Sequence, residues 1–69
     1  MIKEIGERVK LLREKECMSQ AMLAKEIGVD PTFISHVENG KNSISVDTLV
    51  LLAKFFDVSA DYLLGLTDA

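Results

Sequence analysis

The feature that most constrains this chain is its punctuation. Helix-starting and helix-ending residues recur at short intervals along all 69 positions. Ser19, Ser45 and Ser59 are good N-caps, because a serine hydroxyl accepts from the unpaired amides of a first turn. Asp30-Pro31 is another start: the carboxylate caps, and proline suits the first helical position, where its missing N–H is no loss. Gly28, Asn39-Gly40 and Gly65 are stops. The spacing predicts five helices: Ile2 to about Glu16, Gln20 to about Ile27, Pro31 to about Glu38, Val46 to about Phe56, and Ala60 to Leu64. No segment alternates at period two over a useful length, so strands are not expected. The expected fold is all-α, a compact five-helix bundle forming a single domain over residues 1–69.

A chain this short buries only about 60% of the surface that its unfolded form exposes, so most of its apolar 48% must pack. Ile5, Val9 and Leu12 recur at helical spacing in the first segment. Gly6 interrupts that pattern at about 1 kcal/mol relative to alanine, and close helix packing is its expected reason. A single cysteine excludes an intramolecular disulfide or a multi-cysteine zinc site. No apolar run approaches the roughly 18 residues of a membrane span. Met1-Ile2-Lys3-Glu4 leads into a mixed-charge segment rather than a signal peptide, so a soluble, cytoplasmic chain is expected. One histidine, one cysteine, no glycine-rich phosphate loop and no convergent carboxylates argue against an enzyme, a cofactor or a metal.

Segments two and three, about residues 20–38, have helix-turn-helix spacing. Counting Gln20 as position one, Ala24 is position five, where two helices touch and a larger side chain would hold them apart. Gly28 is position nine, where the chain must turn with positive φ. Leu23, Ile27, Val29, Ile34 and Val37 supply the apolar positions that seal the pair onto the other helices. On the third segment Thr32, Ser35, His36 and Asn39 share one arc, opposite Ile34 and Val37. Such a stripe is either a solvated face or a surface that enters a major groove. Thr32 can offer a methyl or a hydroxyl, His36 can donate to guanine N7 or O6, and Ser35 can reach base or phosphate.

The stretches IGERVKLLREK, SQAMLAKEIGV, FISHVENGK, SVDTLVLLAKFFDVS and DYLLGL, in this order, carry a resemblance that spans Ile5 to about Gly65. The chain resembles the Cro/phage-repressor helix-turn-helix family, also called the XRE family. That resemblance implies a lambda-repressor-like DNA-binding domain. It implies that Gln20 bonds the DNA backbone and braces the recognition helix, with Ser19 beside it. It implies that the loop of Asn39, Gly40, Lys41 and Asn42 holds phosphate through amides and side chains. Thr32, Phe33, Ser35 and His36 fall on the specificity-setting positions. Arg13 and Glu38 match a pair that ties helix one to helix three; Glu38 lies on the inward arc and needs a partner there, unless both are simply exposed charges.

Several positions depart from the family pattern. Cys17 stands where the family has glycine closing helix one, and a β-carbon there resists the left-handed conformation. Met22 replaces the acidic partner of a capping box, weakening that helix start. Pro31 removes a polar candidate reader. Phe33 lies near the apolar edge, where packing against helix two is favoured over a thymine-methyl contact. Cys17 invites a redox role, but Glu14 and Glu16 beside it disfavour a thiolate.

On the fourth segment Leu49, Leu52, Ala53 and Phe56 form a core face, while Leu51 and Phe55 point away. They are either covered by helix five or the tail, or form a homodimer seam to which Tyr62 and Leu66 contribute. Charge points to the same division of labour. The net −3 lies wholly in residues 44–69, whereas residues 1–43 carry seven basic and seven acidic side chains. The expected function is sequence-specific binding of a near-palindromic double-stranded DNA operator by a homodimeric transcriptional regulator, a repressor. With Lys41 the only lysine or arginine in residues 30–43, binding per monomer is expected to be weak and its salt slope shallow. The alternative is an antitoxin or protein-interaction module that presents its acidic C-terminal part to a basic partner.

Overall fold

Each expected start does cap a helix. In the computed structural model, which describes residues 2–68, the helices are α1 (Ile2–Lys15), α2 (Gln20–Ile27), α3 (Pro31–Glu38), α4 (Val46–Phe56) and α5 (Ala60–Leu64). No strand occurs among the described residues. The Ser19, Ser45 and Ser59 hydroxyls accept from the amides of Met22, Thr48 and Tyr62, and the Asp30 carboxylate accepts from Thr32. Met22 contributes no second cap, and Ser19 alone closes the start of α2 at 3.0 Å. No described helix is long and apolar enough to cross a membrane.

One core joins all five helices. Ile5 and Val9 of α1, Leu23, Ala24 and Ile27 of α2, Ile34 and Val37 of α3, Leu52 of α4 and Leu63 of α5 are buried together. The first helix packs on α3 and α5, and α4 packs on α5 and α2, so α1 lies behind α3 and α4 behind α2. Gly6 explains the closeness of α1 and α3. A β-carbon there would collide with the Val37 carbonyl oxygen and press on that of Glu38. The helix propensity lost at Gly6 is offset by backbone-to-backbone contact behind α3.

The end of α1 departs from a simple stop. Cys17 adopts φ 57°, and its amide and that of Met18 donate to Glu14 and Arg13 carbonyls at 3.0 Å each. This is the glycine-type Schellman closure, formed by a residue that has a β-carbon. Asp57 does the same at the end of α4, with φ 55°. Leu51 and Phe55 are 47% and 39% exposed, so neither α5 nor the tail covers them. Tyr62 is half-buried: the Arg8 guanidinium lies 4.3 Å over its ring. Arg8 also donates to the Thr67 carbonyl at 3.1 Å and sits 3.6 Å from the Asp68 carboxylate, clasping the C-terminal segment onto α1.

Candidate nucleic-acid interface

The turn between α2 and α3 is built as its spacing requires. Gly28 lies at φ 78°, ψ 36°, and its amide and that of Val29 both donate to the Ala24 carbonyl, at 2.8 and 2.9 Å. Ala24 is buried where the two helices meet. The Asp30 carboxylate then closes the first turn of α3 on the Thr32 amide at 2.8 Å. These contacts fix the direction in which α3 leaves the turn.

A charged network fixes α3 from behind. Arg13 donates through Nε and Nη2 to the two Glu38 carboxylate oxygens, at 2.7 and 3.0 Å. Its Nη1 donates to the Met18 carbonyl at 2.7 Å, and Gln20 Nε2 donates to Glu38 Oε1 at 3.0 Å. The side chains of Arg13 and Glu38 are 11% and 3% exposed, so this is a partly buried, largely enclosed pair and not two surface charges. The bond to Glu38 raises the affinity of the guanidinium for its proton, against the opposing effect of burial. A forked two-point contact fixes angle as well as distance. It joins the end of α1, the start of α2 and the last residue of α3. The Gln20 side-chain amide is part of the brace, as the family resemblance implies.

On the outer side, Thr32 and Asn39 are exposed, while Ser35 and His36 are half-buried. Asn39 Nδ2 lies 3.5 Å from Ser35 Oγ, at the long limit of a hydrogen bond. Phe33 is half-buried against the core, in keeping with the packing role expected of it. At the foot of α3 the resemblance needs correcting. The amides of Asn39, Gly40 and Lys41 donate to the carbonyls of Ser35, Val37 and His36, at 3.0, 3.1 and 2.9 Å. They close the helix, with Gly40 at φ 72°, and so are already occupied. What the loop offers to an anion is the exposed side chains of Asn39 and Lys41 and the half-buried Asn42, whose backbone amide donates to no acceptor among the described residues. At the other end, Ser19 Oγ accepts from Met22 and keeps its own O–H free to donate. The Gln20 and Ala21 amides belong to the first turn of α2 and have no acceptor within the helix.

A helix-turn-helix family model matches residues 9–63. The chain belongs to the XRE-type helix-turn-helix family. It is 37% identical, over 90% of its length, to the uncharacterized HTH-type transcriptional regulator YobD of Bacillus subtilis, of which it covers 55%. It is also 37% identical, over 87% of its length, to repressor protein C2 of Salmonella phage P22, covering 28% of it. This helix-turn-helix chain thus spans about half or less of the curated relatives it matches. Among solved structures it is similar to the restriction-modification controller protein C.AhdI of Aeromonas hydrophila. That similarity has a TM-score of 0.81 at 29% identity and covers 90% of this chain and 94% of that one. The XRE-type members it matches by sequence include several named transcriptional regulators.

Proposed function

We propose that this chain binds double-stranded DNA sequence-specifically as a homodimeric transcriptional regulator, with α3 in the major groove, and that it represses by occupying its operator. The observation that carries this reading is the polar stripe of Thr32, Ser35, His36 and Asn39 on a helix braced by Arg13, Gln20 and Glu38. A reading helix must hold its angle to discriminate bases, and a forked ion pair at its end supplies that stiffness. Thr32, Ser35 and His36 read base edges, and Phe33 sets their height by packing. Ser19, Gln20, Asn39, Lys41 and Asn42 anchor phosphates at the two ends of the α2–α3 unit, while Gly40 shapes the loop. The kinship with a phage repressor and with named regulators supports the regulatory role.

Dimerisation follows from the sparse positive charge of the reading half. One copy offers few cations to phosphate, so useful affinity needs two copies on half-sites roughly 34 Å apart. The exposed Leu51, Phe55 and Leu66, with the half-buried Tyr62, are the surface for that contact. Selection of bound duplexes from a random library at low salt, followed by sequencing, tests the whole reading. Enrichment of a near-palindrome with two half-sites is expected. Recovery of unbiased sequence would refute it.

A further inference from the structure

The outer face of α4 has the same pattern from either end. Two adjacent i, i+4 rows cover it: Val46, Val50 and Lys54 form one, and Asp47, Leu51 and Phe55 the other. Val46 and Val50 are 74% and 41% exposed, beside the exposed Leu51 and Phe55. Asp47 and Lys54 are exposed too, and neither has an ion-pair partner among the described residues. The midpoint of the pattern lies between Val50 and Leu51. About it Val50 mirrors Leu51, Val46 mirrors Phe55, and Asp47 mirrors Lys54.

A two-fold axis through that midpoint, perpendicular to the helix, places a second α4 antiparallel to the first. An isologous interface repeats every contact, so a pair formed on one side of the axis forms again on the other. Asp47 then meets Lys54 of the other copy, and the contact occurs twice, while Val50 and Leu51 each lie beside their own counterparts close to the axis and Val46 and Phe55 flank the seam. A parallel arrangement would instead set Asp47 against Asp47 and Lys54 against Lys54, which like-charge repulsion disfavours. A second copy supplies the complement to both exposed charges, a lysine for Asp47 and an aspartate for Lys54. The Phe55 ring is already oriented by an edge-on contact with the half-buried Phe56, with centroids 5.1 Å apart at 77°, so less freedom is lost on association.

We propose that α4 forms an antiparallel two-fold seam with a second copy of this chain, in which Asp47 pairs with Lys54 across the axis. This rests on the homodimer reading above and assigns its register. Sedimentation equilibrium on the whole chain tests it, with circular dichroism to confirm that each variant is helical. The wild type dimerises. Asp47→Lys and Lys54→Asp each replace two ion pairs by two like-charge contacts, and each weakens the dimer about tenfold or more. Mixing the two single variants restores dimers, as heterodimers, because every facing pair is again of opposite sign. The double variant D47K/K54D self-associates to within about threefold of wild type. Leu51→Glu with Phe55→Glu gives monomers. Single variants that dimerise like wild type, or a mixture that stays monomeric, overturn the register while leaving a homodimer in place. A wild type that remains monomeric overturns both.

Discussion

Replacing Cys17 by glycine should make this protein more stable. Cys17 closes α1 at φ 57°, in a region that β-carbons resist. For an L-residue that conformation costs about 1–2 kcal/mol. Glycine avoids this cost but loses about 0.5–1 kcal/mol more entropy on folding. The thiol is exposed, so little packing is lost with it. The net gain is about 0.5–1 kcal/mol. In a domain of this size, each kcal/mol shifts Tm by about 4–8 °C, so a rise of about 2–8 °C is expected. The comparison is Cys17→Gly against Cys17→Ala, both under reducing conditions, followed by thermal and urea denaturation. Alanine keeps the β-carbon and removes the thiol, so it should stay within about 0.5 kcal/mol of wild type. The urea midpoint should rise with an unchanged m-value. Cys17→Gly melting at or below Cys17→Ala would refute the idea that the backbone, and not the thiol, limits this helix end.

Gly6→Ala should destabilise the fold by about 3 kcal/mol or more, read in urea, because the Val37 carbonyl occupies the space that a methyl would need. Glu38→Ala leaves a part-buried guanidinium without its carboxylate and should cost about 2–3 kcal/mol, whereas Arg13→Met with Glu38→Leu should recover most of it in a double-mutant cycle. On a selected operator, His36→Ala should lose about 1–3 kcal/mol and relax one or two base pairs. Lys41→Ala should weaken all sequences alike and flatten the salt slope by about one unit. Base preference altered by Lys41→Ala but not by His36→Ala would exchange the roles of reader and anchor.

The legible and illegible parts of this chain differ in physical kind. Helix starts were legible because a serine or aspartate cap acts within three residues, and Ser19, Asp30, Ser45 and Ser59 all cap as expected. The Arg13–Glu38 pair was legible through the family resemblance and the inward position of Glu38. The bracing role of Gln20 was likewise legible only through the resemblance; its acceptor, Glu38, lies 18 residues away, with no local pattern to mark it. The Arg8 clasp spans 59 residues to Thr67 and leaves no local pattern. The loop of residues 39–42 was legible in its residue types but not in its backbone bonding. Its residue types suit anion binding, but the same amides also close α3, and a backbone N–H well aligned to one acceptor has little left for another. The left-handed Asp57 was missed because aspartate reads as a cap or turn residue of many kinds.

At Gly6 nothing but backbone separates α1 from α3. Side chains between helices act as adjustable spacers: they change rotamer and let one helix slide or tilt against another. Ile5, Val9, Ile34 and Val37 pack between these two helices, but at Gly6 there is no such spacer. At this one point α3 cannot tilt toward α1 without backbone collision. On the DNA-binding reading proposed above, a helix held this way leaves more of the conformational adjustment on binding to the DNA. Operators with easily kinked pyrimidine–purine steps between the half-sites would then bind more tightly than stiff ones, at base pairs the protein never touches.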